Sequence, residues 1–288
     1  MSEDRSAGRE LLDAGLQDAV RLADSEDWDA AFSLLQKLEG DHPHDATLLC
    51  MLAVTAGQVE ARGLAYDYFR RCLAEQPTDP AVLVPLGAGL ARYDDPDAEG
   101  VLRLAAVTAP DLPAARLHYG AYLAREGIFD LAITELRAAC ELDPGSAIPS
   151  RELGIALFLA GDLCGAIEEL DRAAGVGPED ADTRLLYGMA LAVGGRLEEA
   201  AEELHRAASE LVEDGEAQMV AALACATQGW SDEAWDALAR AEGATFPPDA
   251  LLLGEAEDAI GADEAAASAL LLETVIPAVL HERLQERP

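Results

Sequence analysis

The chain has 288 residues, of which 20 are basic and 55 acidic, giving a formal charge of −35. Binding to a phosphate backbone needs clustered Lys and Arg that release counterions, and anionic lipid makes the same demand, so this charge excludes nucleic acids and anionic membrane surfaces and leaves basic or apolar proteins as partners. Half of the residues are hydrophobic but only 5% are aromatic; Ala and Leu do most of the apolar work, which biases the chain towards an all-α fold.

Lys37 is the only lysine and there is no asparagine, as expected of a GC-rich coding source. The acidity reads as a well-solvated surface, or as adaptation to a salty cytoplasm. Cys50, Cys72, Cys140, Cys164 and Cys225 are odd in number, widely spaced and without a CxxC pair. They read as small buried hydrophobes in a reducing compartment, not as a disulfide framework or zinc site. The N-terminus MSEDRSAGRELLDAG lacks an apolar signal region. The stretch ALLLETVIPAVL contains Glu273 and Pro277 and falls short of the ~20 residues of a membrane span. The expectation is a cytoplasmic protein with no membrane insertion.

In chain order, residues 1–11 read as a flexible lead. A block at 12–45 is marked by Ala31, Leu35, Leu38 and Pro43, and one at 46–78 by Ala65, Phe69, Cys72 and Pro77. The block at 79–112 keeps Ala98, Leu102, Ala105 and Pro110, but its first half is out of step by one, with Gly87 where Leu86 stands in register. The blocks 113–146, 147–180 and 181–214 align without a gap. Position 8 is Gly120, Gly154 and Gly188; position 15 is Gly127, Gly161 and Gly195; position 20 is Ala132, Ala166 and Ala200. Position 24 is Leu136, Leu170 and Leu204; position 27 is Ala139, Ala173 and Ala207; position 32 is Pro144 and Pro178, broken by Val212. The block 215–248 keeps Gly229, Ala234, Leu238 and Ala241. Residues 249–288 read as a divergent helix pair or cap, with Gly254, Gly261 and Ala266. Small residues at positions 8 and 20 let two helices approach closely, Gly at 15 suits the turn between them, and Pro at 32 ends the second helix.

This pattern resembles the tetratricopeptide repeat, in which Leu-Gly, an aromatic-like residue, Ala, a Phe-like residue, Ala and Pro recur over ~34 residues. The resemblance covers about seven repeats over 12–248 and is clearest in 113–248. Its position-4 Trp is replaced by Arg116, Ser150 and Arg184 in the clearest blocks. The implied fold is an all-α, right-handed superhelical solenoid of antiparallel helix pairs. Pentatricopeptide repeats have a similar period but bind RNA, which the charge opposes.

Catalytic motifs are missing. Lys37 follows Gln36, so no P-loop exists, and no GxSxG occurs. His281-Glu282-Arg283-Leu284-Gln285 misses HExxH at its last ligand and reads as a solvated tail helix. His42 and His44 lack further ligands nearby. Asp95-Pro96-Asp97-Ala98-Glu99-Gly100 starts like a calcium loop but has Arg103 and Ala106 at later ligand positions, so it reads as acidic residues at a helix N-terminus. Glu168–Glu169, Glu198–Glu199 and Glu202–Glu203 fall on the second helix of each pair (helix B, the first being helix A), at positions that the resemblance implies are on its convex, solvated side. No enzyme activity and no cofactor or metal are expected.

In this repeat class the resemblance implies that positions 2, 5, 6, 9, 12 and 13 of helix A line a concave groove. The implied partner-binding residues are Arg92, His118, Arg125 and Arg151, then Ile155, Phe158, Leu159, Leu185, Leu186, Met189, Met219 and Leu223, with Val193 and Val220 beside them. Such a groove would take an apolar-faced helix or an extended peptide of another protein, with acidic groups near the arginines. The apolar segment from Ala269 to Leu280 is equally able to fold in and fill it. The Lys and Asn clamp of chaperone-tail-binding members cannot be built here. The expected function is a non-catalytic scaffold or adaptor, extending to a chaperone-like role by analogy with acidic secretion chaperones; the alternative is a homo-oligomer associating through the apolar end.

Overall fold

The computed structural model describes residues 2–177 and 180–285; Pro178, expected to end a helix, and residues 286–288 of the tail lie outside them. The chain is all-α, in two compact units, one over the residues up to Tyr122 and one from Leu123 onward. In the first unit α1 (Ser2–Asp24) pairs with α2 (Trp28–Glu39), α3 (Ala46–Gln58) with α4 (Arg62–Ala74), and α5 (Pro80–Arg92) with α6 (Ala98–Thr108), followed by α7 (Pro113–Arg125). The second contains α8 (Phe129–Leu142), α9 (Ala147–Leu159), α10 (Leu163–Val176), α11 (Ala181–Val193), α12 (Leu197–Glu210), α13 (Gly215–Ala226), α14 (Ser231–Gly243) and α15 (Ala250–Ala262). It ends in α16 (Glu264–Leu270) and α17 (Ile276–Gln285), joined by a π-helical turn over Leu271–Val275. Consecutive helices pack on one another from α1 to α6 and from α8 through the π turn to α17, and first helices also pack on one another, α3 on α5 and α9 on α11.

Two features depart from the sequence reading. Residues 1–11 were expected as a flexible lead, yet α1 runs unbroken from Ser2. The stretch holds no proline to interrupt it. Arg9 ties it down by pairing with Asp13 at 3.0 Å and with Asp45 of α3 at 2.7 Å. Cys164 is exposed, whereas the other four cysteines are buried.

The turn between paired helices needs one residue in the left-handed region. In the second unit glycine supplies it: φ is +84° at Gly161, +80° at Gly195 and +71° at Gly229. In the first unit the turn residues are Glu26, Glu60 and Asp94, at φ of 60°, 59° and 51°. An L-residue there costs about 1–2 kcal/mol, partly offset because glycine loses more entropy on folding. Glu60→Gly is therefore expected to raise stability by about 0.5–1 kcal/mol and Gly195→Ala to lower it by about 1 kcal/mol; a urea midpoint that moves the other way in either variant refutes the assignment.

Close approach explains the position-8 glycines. A Cβ built on Gly154 would lie 2.6 Å from Leu170 Cγ, and one on Gly188 2.6 Å from Leu204 Cγ. In the out-of-step block it is Gly87 that meets Leu102, at 2.7 Å. Helix α5 starts at Pro80, one residue beyond the block start, which carries the small residue along with it.

Asp95 is more than an acidic residue at a helix N-terminus. It is buried between α4 and α6, where it accepts hydrogen bonds from the Tyr66 hydroxyl (2.8 Å), from Arg70 Nη1 (3.1 Å) and from the Asp97 N–H (2.9 Å). Burial alone would push its pKa up; the Asp97 N–H, Tyr66 and Arg70 outweigh that and hold it below the ordinary carboxylate value. A depressed pKa gives stability that is present above the unfolded value and is lost as pH falls through the folded one. Wild type should therefore lose more stability than Asp95→Asn on acidification below about pH 4, the unfolded carboxylate range. Parallel pH–stability curves would contradict this.

Candidate helix-binding face

The face made by the first helices of the pairs is built the same way in both units. In the second unit α11 presents Asp182, Leu185, Leu186 and Met189, and α13 presents Glu216, Met219, Val220 and Leu223, at matching places one repeat apart. In the first unit α3 presents Thr47, Cys50, Met51 and Val54 from those places. Each helix starts on an aspartate that accepts a backbone N–H at its N-terminus: Asp45, Asp180 and Asp214 for α3, α11 and α13, and Asp79 for α5.

In the second unit this face is covered. α16 and the π turn lie on α13. Leu271, Val275, Ile276 and Val279 join one buried cluster with Leu185, Leu186, Met189, Met219, Val220 and Leu223, all at most 4% exposed. Arg283 of α17 reaches back to Asp182, at 2.9 Å, and to Asp214. It is thus not part of a solvated tail, as the sequence suggested, although His281 beside it is exposed; the side chains of Glu282 and Leu284 lie outside the described ones. Pro277 accounts for the π turn. It cannot donate to the Glu273 carbonyl and its ring crowds that group, while the Ile276 N–H bonds to Leu271 five residues back. Glu264–His281 is, against expectation, long and apolar enough by length and composition to cross a membrane. In this fold its apolar stripe packs on α13.

The residues expected to line an open groove therefore separate into groups. Ile155, Leu185, Leu186, Met189, Met219, Leu223 and the adjacent Val220 are buried, in one cluster with Leu271, Val275, Ile276 and Val279 of the Ala269–Leu280 segment. Phe158 and Leu159 are half-buried at the edge of the same cluster, and Val193 is exposed. Arg151 pairs with Asp180 at 3.1 Å. Burial opposes the Asp180 charge, but the Thr183 hydroxyl and N–H and Arg151 hold its pKa low. Arg125 contacts Glu126 at 3.7 Å. Arg92 and His118 are exposed on α5 and α7 of the first unit.

In the first unit the corresponding face is open. A cavity of ≈240 Å³ lies between α1, α3 and α5, lined by Ala19, Val20, Ala23, Trp28, Met51, Val54, Val82 and Pro85 among others, with no charged side chain among the described residues. Val54 is 36% exposed where its counterparts Met189 and Leu223 are fully buried. The sequence reading passed over this patch, because the early repeats diverge most from the pattern; reading Met51 and Val54 at the block positions of Leu186 and Met189 would have found it.

Paired helices of this spacing, with glycine at the close crossing and a shared first-helix face, define the tetratricopeptide-repeat fold. No protein-family model and no curated protein matches the chain. Among solved structures it is similar to a chain of the APC/C hetero-tetramer Cut9–Hcn1, at 19% identity and TM-score 0.67, over 91% of this chain and 49% of that one. It is also similar to PilW, a type IV pilus biogenesis factor, at 20% identity and TM-score 0.63, over 69% of this chain and 93% of that one. PilF of Pseudomonas aeruginosa matches at 20% identity and TM-score 0.59, over 70% and 93%.

Proposed function

We propose that this chain is a non-catalytic scaffold that holds an apolar-faced helix or extended peptide of another protein against its first-helix face. One observation carries the reading: in the second unit that face already holds a helix, α16–α17 of the chain itself, by an apolar stripe and an arginine. The face is thus able to hold a helix in a groove. A chaperone-like role, shielding an apolar partner segment, follows the same chemistry. The test is purification of the tagged chain from its native cells at low and moderate salt. A protein recovered in fixed ratio with the chain, and cross-linked to first-helix residues, is the expected result; cross-links confined to the second helices of the pairs would refute the reading.

Self-assembly is a second reading, favoured by Phe246 and Leu251 at the chain's far end, 74% and 73% exposed. It expects a homo-oligomer that Leu251→Glu dissociates. An oligomer unchanged by that variant, or a monomer at all concentrations, sinks it.

A further inference from the structure

We propose that the first-helix face of the first unit is the docking site for a helix of another protein that bears an apolar stripe flanked by arginine or lysine. The inference rests on the scaffold reading and deepens it by naming the face and the chemistry of its partner.

The chain supplies its own template. On α11 and α13 the apolar positions are sealed by α16–α17, with Arg283 set on Asp182 and on the capping Asp214. The matching positions of α3, Met51 and Val54, have no such cover. Val54 is 36% and Val20 46% exposed, beside a cavity without a charged lining residue among those described. Met51 adds an unbranched, adaptable side chain suited to repacking against a partner.

Charge selects the occupant. Asp24 and Asp27 adjoin the lining residues Ala23 and Trp28 in sequence, and Asp45 and Asp79 stand two residues before Thr47 and Ala81. Of the basic neighbours, Arg21 pairs with Asp18 at 2.9 Å and Arg9 with Asp45 at 2.7 Å, so Asp45 is already occupied. Asp79 caps α5 as Asp214 caps α13, and it is exposed. A partner arginine or lysine would meet it as Arg283 meets Asp214, while an acidic helix would be repelled. The total charge of −35 steers basic segments towards the chain.

The probe is a fluorescein-labelled peptide with the sequence of residues 264–285 carrying Glu264→Gln, Glu273→Gln and Glu282→Gln, so that Arg283 is its one charged side chain, titrated against the full chain by anisotropy. The second unit's face is held by its covalently tethered copy, whose effective concentration is in the ~mM range, so binding of free peptide reads the first unit. Saturable binding is expected, weakened at least tenfold by Val54→Glu with unchanged helicity, because Val54 already faces solvent. Asp79→Asn, which keeps a cap, should weaken binding about threefold at low salt and less at high salt, as screening of one charge requires. Three results overturn the proposal: no saturation below about 1 mM, equal affinity for wild type and Val54→Glu, or a wild-type dimer lost in Val54→Glu, which would make the occupant a second copy. If Val54→Glu abolishes peptide binding but retains the native partner, this site fails and the scaffold reading survives; if no protein partner exists, both fail.

Discussion

Replacing Leu271 by alanine is expected to destabilise the second unit by about 2–5 kcal/mol, the range for a fully buried Leu whose site cannot collapse. Leu271 is 0% exposed and sits in the π turn, within the cluster formed by α11, α13 and α17. Its loss leaves a cavity that the neighbours cannot readily close. α13 is buried at every residue but Glu216, and the Pro277-induced turn sets the path of the helix above it. Trp230 packs against the same cluster and reports on it locally; Trp28, in the first unit, and Trp235, exposed on α14, should both be replaced by Phe in the test background. The prediction is a lower urea midpoint by Trp230 fluorescence, with Leu251→Ala, at an exposed position of α15, nearly silent. If Leu271→Ala left the midpoint within about 0.5 kcal/mol of wild type, the size of an ordinary surface change, the C-terminal helix would not be part of the core. The result also bears on function, because a tightly seated helix leaves the first unit as the open face.

The repeat pattern was legible in the sequence because its signal is steric and local. Gly188 and Leu204 recur together because one must lie against the other, and Gly195 recurs because the turn needs a positive φ. The same turn in the first unit uses Glu26, Glu60 and Asp94, tolerated at a modest cost, so a search for glycine grows weaker there although the geometry is unchanged. The place of the C-terminal helix was not legible. Apolar residues at Leu185, Met189 and Met219 satisfy an open groove and a covered one equally well. What decides between them is a contact between residues 101 apart, Arg283 with Asp182, which no local pattern encodes. The first-unit face was missed for a related reason: Met51 and Val54 are ordinary helix residues until the covered counterpart in the second unit shows what such positions receive.

The second large effect concerns the close crossing of α11 and α12. Gly188→Leu should destabilise the second unit by about 3 kcal/mol, at the upper end of the usual range for overpacking. Even a single added Cβ would lie 2.6 Å from Leu204 Cγ and 3.2 Å from the Leu204 backbone N. Leu204 is fully buried and has no free direction in which to yield, so the two helices must separate. Against this stands the gain in helix propensity, about 1 kcal/mol for removing a mid-helix glycine, which is too small to reverse the sign. Gly254→Leu on α15 is the matched control, because an added Cβ there meets nothing within 4 Å and that position is exposed, so propensity alone should act and stability should hold or rise. Urea denaturation of both variants separates the two effects. If Gly188→Leu proved as stable as Gly254→Leu, the glycine would recur for some reason other than close packing, and the steric basis assigned to position 8 would have to be abandoned in Gly154 and Gly87 as well.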